Sequence, residues 1–173
     1  MRLCRPSWIV LASFMILAAS AAKAEAASET PLDCLAKAVY FEAKGESTEA
    51  MRATAAVVVN RTKNPEFPDS VCGVVHEETA NACQFGWYCD GKPDRPTEAG
   101  EWQRAIEVAK AALAGKSPDP TGGALYFHAA VAPTPWTIER QKTATIGPFV
   151  YYKETAEHAV KLAKERAREN VAE

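Results

Sequence analysis

From Leu32 onward, apolar residues recur at helical spacing. Leu32, Leu35, Ala36, Val39 and Tyr40 predict a helix over about residues 31–44 with one buried face. Thr30-Pro31-Leu32-Asp33 sets a capping hydroxyl, a proline at the first helical position and an acid in the first turn ahead of it, and Gly45 ends it. Ser47 caps a second helix running to about Thr62 through Ala50, Ala53, Ala56, Val57 and Val58. Its middle is small and apolar all round, which predicts burial on every side. After the Asn64-Pro65 and Phe67-Pro68-Asp69-Ser70 turns, a short third helix is expected from Val71 to about Thr79. An amphipathic fourth runs from Thr97 to about Ala114, with Trp102, Ile106, Ala109 and Leu113 on one face. Ala124-Leu125-Tyr126-Phe127-His128 reads as a strand, and residues 145–152 as a second that pairs with it across the proline-rich 132–136 loop. From Lys153 the charges alternate in sign along a helical tail, expected to be solvated and frayed toward its end. The expected fold class is α+β, mainly helical, with a small β-hairpin.

Residues 1–24 have a different character: Arg2 and Arg5, an apolar run from Trp8 to Leu17, then small residues ending in Ala22-Lys23-Ala24. This is the pattern of a secretory signal peptide with an A-x-A cleavage site, and Ala24-Glu25-Ala26 offers a second one nearby. The apolar run is shorter than the ~20 residues that span a bilayer, which weighs against an uncleaved anchor. Cys4 precedes the run, so a lipoprotein anchor is not indicated. The expectation is an exported protein of the periplasm or cell envelope, monomeric and without stable membrane insertion after cleavage. Its residues 31–153 form one domain and residues 154–173 a charged helical tail. Without Arg2, Arg5 and Lys23 the chain keeps 17 basic against 22 acidic residues, a net charge of −5. That balance argues against a nucleic-acid partner, and there is no basic block to hold an anionic membrane.

Four cysteines remain, Cys34, Cys72, Cys83 and Cys89, an even number in an exported chain, which points to two disulfides among three possible pairings. Cys83 with Cys89, closing a short loop, and Cys34 with Cys72, tying the first helix to a later one, are preferred. A zinc site competes, but no two cysteines show the two-residue spacing of a zinc knuckle. His76 and His128 have no H-E-x-x-H pattern beside them, so neither a metal nor another cofactor is indicated. Serine catalysis lacks a G-x-S-x-G segment.

The chemistry concentrates in Val39-Tyr40-Phe41-Glu42-Ala43-Lys44-Gly45-Glu46-Ser47. Glu42 falls in the last turn of an apolar helix, where burial and the negative helix end both favour the protonated acid. Glu46 precedes the next helix, whose positive end favours the charged form. The plain alternative is two helix-end charges facing water. Against it stand aromatic and amide groups in or beside the loops: Asn60-Arg61, Gln84-Phe85, Tyr126-Phe127-His128, Pro135-Trp136 and Phe149-Val150-Tyr151. Side chains of this kind build sugar-binding grooves, rings stacking on pyranoses and amides bonding to hydroxyl and acetamido groups.

Glu42-Ala43-Lys44-Gly45-Glu46, Ala55-Ala56-Val57-Val58-Val59-Asn60-Arg61, Phe67-Pro68, Cys72-Gly73-Val74-Val75, Cys83-Gln84-Phe85, Tyr126-Phe127-His128 and Pro135-Trp136, in that order, resemble the cell wall hydrolase family typified by spore cortex-lytic enzymes of SleB type. The likeness covers about residues 35–152. It implies a lysozyme-like catalytic domain acting on peptidoglycan glycan strands by lytic transglycosylase chemistry. One glutamic acid protonates the glycosidic oxygen after N-acetylmuramic acid, and the sugar's own 6-hydroxyl closes a 1,6-anhydro ring. Carried onto this chain, Glu42 takes the acid and then base role. Glu46, Asn60, Gln84, Phe85, Tyr126, His128, Trp136 and Tyr151 are the expected saccharide-binding residues. Two alternatives are an amidase cutting between muramic acid and the stem peptide, and a non-catalytic peptidoglycan-binding module. The family usually carries Arg where this chain has Lys44, and Ser where it has Gly86.

Overall fold

The computed structural model describes residues 29–79, 82–132 and 134–172. The expected signal peptide at residues 1–24 lies outside them, and no helix among the described residues is long and apolar enough to cross a membrane. Helix α1 (Pro31–Ala43) starts as its sequence dictates. The Thr30 hydroxyl accepts from the Asp33 N–H, and the Asp33 carboxylate accepts from the Thr30 N–H, which closes a capping box. Lys44 caps its end, and Gly45, at φ +81°, turns the chain in a conformation that disfavours any side chain.

Helix α2 (Thr48–Arg61), capped by Ser47, is the hub. Met51, Ala55 and Val58 face a core built with α1, α3 (Val71–Val75) and α4 (Ala99–Leu113), while Ala50, Ala53 and Val57 face a second core under the sheet. Small residues on both faces let elements approach closely from two sides, which is why the all-round apolar pattern ends in burial. Tyr40 of α1, buried, accepts hydrogen bonds from the N–H groups of Thr97 and Glu98 and so anchors the start of α4. Cys34 is bonded to Cys72 and Cys83 to Cys89, the preferred pairing, with Cα–Cα distances of 5.3 and 6.1 Å.

The sheet is three-stranded and antiparallel, in the order β1-β3-β2, from β1 (Tyr126–Ala129), β2 (Arg140–Ile146) and β3 (Phe149–Glu154). The expected pairing of β1 with β3 is present, with Phe127 opposite Tyr151 and His128 opposite Val150. The expected second strand at residues 145–152 is in fact two half-strands: Gly147, at φ +56°, and Pro148 form the β2–β3 turn inside it. β2 is an added edge strand, polar and charged as edges commonly are. The third helix stops at Val75, short of Thr79, because Glu78 pairs in an isolated antiparallel bridge with Cys83, just ahead of the loop that the disulfide closes. The tail is a helix, α5 (Ala156–Ala172), and it packs back on the domain: His158 pairs with Glu154, Arg166 with Glu66, and Leu162 sits by Pro65.

Candidate active site

Leu35, Val39 and Glu42 lie on one stripe of α1, at i, i+4 and i+7. The first two are fully buried, so the stripe that builds the core ends in a carboxyl where a hydrophobe would be expected. Glu42 opens into a cleft of about 330 Å³ that is also lined by Arg61, Gln84, Phe85, Tyr126, Phe127, His128, Ala129, Trp136 and Phe149. It is the one carboxyl among the described residues that line this cleft. Burial raises its pKa from 4.5 to about 7, against the opposing pull of the Trp87 indole N–H and the positive charge of Arg61. Near neutral pH the group is therefore poised to give or take a proton.

The turn after Glu42 is pinned from α4. Gly45 donates its N–H to Glu101 Oε2 at 3.0 Å, and Arg104 reaches both Glu101 and the Glu46 carbonyl. Lys44 points away from the cleft, its Nζ 2.6 Å from Glu98 Oε1 and 5.3 Å from the centre of the Tyr40 ring. A single ammonium contact suffices there, so the planar fork of arginine is not required. A Cβ added at Gly86 would meet nothing within 4 Å, so the serine usual at that position would also fit.

One wall of the cleft is aromatic. Tyr126 and His128 lie on one face of β1, with Tyr152 behind them on β3, while Phe127, Phe149 and Tyr151 lie on the face that covers α2, where Phe127 and Phe149 also reach the edge of the cleft. The His128 ring stacks on Tyr152 with centroids 5.5 Å apart, and Trp136 meets both edge-on at 5.6 and 5.5 Å. His128 Nδ1 donates to the Ala129 carbonyl at 2.8 Å and Nε2 accepts from the Tyr152 hydroxyl at 3.2 Å, so one neutral tautomer satisfies both nitrogens. Arg140 closes the wall from behind, 4.0 Å from the Tyr126 ring centre, with Nη1 donating to the Trp136 carbonyl at 3.0 Å. Gln84, Phe85, Tyr126, His128 and Trp136 thus meet Glu42 as the sequence leads one to expect.

Three expected residues are elsewhere. Asn60, one helical step from Arg61 and so about 100° around α2, faces away from the cleft and bonds Asp119 Oδ2 and the Ala124 carbonyl at 2.9 and 3.1 Å, tying down the approach to β1. Tyr151 is fully buried under the sheet, the opposite parity from Tyr152. Glu46 is not among the cleft's lining; its Oε2 lies by the β2–β3 turn, 3.6 Å from where a Cβ on Gly147 would sit.

Two residues by the site escaped the sequence reading of its binding groups. Arg61 is buried at 4% exposure, its Nε donating to the Leu125 carbonyl at 2.7 Å, with the rings of Phe67, Phe85 and Tyr126 at 4.9, 5.7 and 5.8 Å. Burial lowers its pKa to about 10, partly offset by Glu77, Tyr126 and Glu42, so it stays charged at neutral pH. Trp87 sits in the 3₁₀ turn Gly86–Cys89, inside the Cys83–Cys89 loop, and stacks on Phe41 with centroids 4.7 Å apart. The conjunction of Asn-Arg with the first glutamate in the ordered motifs was a usable signal for Arg61; Trp87, in a loop without periodicity, had only the cysteine staple around it.

The cell wall hydrolase family matches residues 45–152, a span that begins just after Glu42. The spore cortex-lytic enzyme of Halalkalibacterium halodurans is 35% identical over 129 residues, 72% of this chain and 35% of that protein. That of Bacillus subtilis is 37% identical over 126 residues, 72% of this chain and 38% of that protein. The chain thus spans little more than a third of the length of these relatives. Among solved structures, the catalytic domain of the Bacillus cereus SleB protein matches with a TM-score of 0.60 and 31% identity, over 73% of this chain and 91% of that one. The catalytic domain of the germination-specific lytic transglycosylase SleB from Bacillus anthracis matches with a TM-score of 0.58 and 31% identity, over 73% and 96% of the two chains.

Proposed function

We propose a peptidoglycan-cleaving activity for this chain, which belongs to the cell wall hydrolase family. In this reading it is an exported lytic transglycosylase that cuts the glycan strand after N-acetylmuramic acid, with Glu42 as its single acid and base. The observation that carries the reading is a lone, half-buried carboxyl at about pKa 7 in a cleft walled by aromatic rings. A retaining glycosidase would need a second carboxyl roughly 5 Å away as nucleophile. Here Glu42 gives its proton to the glycosidic oxygen as the bond from the muramic C1 breaks, leaving an oxocarbenium-like centre. The carboxylate then takes the proton of the sugar's 6-hydroxyl as that oxygen bonds to C1, which restores Glu42 without consuming water. Trp136, Tyr126 and His128 supply faces and edges for sugar rings, and Gln84 supplies amide hydrogen bonds.

Two disulfides accord with an oxidising compartment outside the cytoplasm, where a leader at residues 1–24 would deliver the chain. The test is release of soluble glycan from purified sacculi. Glu42→Gln is expected to lose activity by at least ~10²-fold, as for removal of a general acid, while Glu46→Gln keeps most of it. A Glu42→Gln protein as active as wild type would end this reading.

A further inference from the structure

A residue that is first an acid and then a base spends the interval between the two steps as an anion, here in a half-buried place where desolvation disfavours an unassisted carboxylate. Two buried donors beside Glu42 make no well-formed hydrogen bond, Arg61 Nη1 and Trp87 Nε1, although the Trp87 N–H is near enough to Glu42 to favour its charged form. Buried polar groups without partners are rare and costly, so two around one carboxyl call for a reason. Both are held firmly. Arg61 is fixed by its Nε bond to the Leu125 carbonyl and by three surrounding rings, and Trp87 by its stack on Phe41 and the flanking disulfide. Neither can swing to another partner without breaking those contacts.

We propose that Arg61 and Trp87 are paired positioning residues that hold the Glu42 carboxylate while it is charged, letting one carboxyl serve both steps; this rests on the acid and base role proposed for Glu42. The indole N–H supplies direction to a carboxylate oxygen and the guanidinium supplies charge. The groups that face Glu42 are these two, from the 3₁₀ turn and α2, together with Tyr126 and His128 of β1 across the cleft. Glu77, after α3, acts on the far side of Arg61 and moderates its charge. Both donors act through Glu42 and not on the sugar, since Arg61 Nη1 and Trp87 Nε1 are shut off from the cleft's open volume.

Trp87→Phe keeps the ring on Phe41 and removes only the N–H. Its kcat on purified glycan strands should fall by about tenfold or more, the scale of one hydrogen bond to a charged group, with KM within about twofold. The limb of the pH-rate profile that reports Glu42 should move up by roughly one pH unit. Arg61→Met should move the limb the same way, and Arg61→Lys, which keeps the charge, should return it toward wild type. A limb that stays in place in Trp87→Phe, or a loss confined to KM, would overturn the inference. NMR titration of a 13C-labelled Glu42 carboxyl reads the same quantity without turnover: its midpoint should rise in Trp87→Phe, and an unchanged midpoint refutes the proposal. Wild-type protein that releases nothing from sacculi would instead defeat the proposed function, while the titration still decides between presence and absence of the hold on Glu42.

Discussion

Glu42 should cost the protein stability in proportion to its usefulness. A carboxyl whose pKa rises from 4.5 to about 7 on folding is charged earlier in the unfolded chain than in the native one. Well below pH 4.5 both states are protonated and the group leaves stability unchanged; as pH rises through that value toward 7 the unfolded state ionises first and stability is lost. Linkage puts the loss at under ~1 kcal/mol at pH 5 and about 3 kcal/mol at pH 7 and above. Glutamine cannot ionise, so Glu42→Gln removes the pH-dependent part while the fit of its amide adds only a constant. Urea melts of both proteins from pH 5 to pH 8 should show the variant gaining on wild type by ~2 kcal/mol or more across that range, several degrees in Tm for a chain of this size. A difference that stays flat with pH would mean that Glu42 is not desolvated in the native state, and the acid role would lose its physical basis.

The two disulfides should separate stability from activity. Loop closure over 38 residues makes the Cys34–Cys72 bond worth ~4 kcal/mol, so a Cys34→Ala/Cys72→Ala protein should melt markedly lower by calorimetry. Closure over 6 residues is worth only ~2 kcal/mol, yet Cys83→Ala/Cys89→Ala should lose more activity than stability, because that loop carries Gln84, Phe85 and Trp87. Tyr151→Phe removes a buried hydroxyl that has at best a poorly formed bond to Thr54, so its stability should stay within about 1 kcal/mol of wild type and its KM should not change. Tyr152→Phe, which deprives His128 Nε2 of its donor, should by contrast raise KM for glycan strands.

Local chemistry made much of this legible beforehand. The Thr30 cap, the Gly45 turn and the small-residue middle of α2 follow from rules that act within a few residues, and they place Glu42 at the end of a buried stripe. What the sequence hid depends on longer-range partners. Arg140–Ile146 is polar enough to pass for loop and is a strand only because β3 pairs with it. Once Gly147-Pro148 is misread as strand interior, parity is unanchored, and Tyr151 is chosen where Tyr152 faces the wall. Asn60 and Arg61 look equivalent on paper, but one helical step sends the first to Asp119 and the second to the cleft. The tail's alternating charges predict solvation and most of its described positions are exposed; its contacts with Glu66 and Pro65 depend on long-range partners that charge pattern alone does not show.

Mass spectrometry of the products released from purified sacculi by the wild-type protein, with Glu42→Gln as control, distinguishes the bonds this chain could cut. Muropeptides ending in 1,6-anhydro-N-acetylmuramic acid are expected, absent when Glu42 is replaced. Reducing muramic ends, free stem peptides, or the same anhydro products from the Glu42→Gln protein would contradict the proposed transglycosylase role of Glu42.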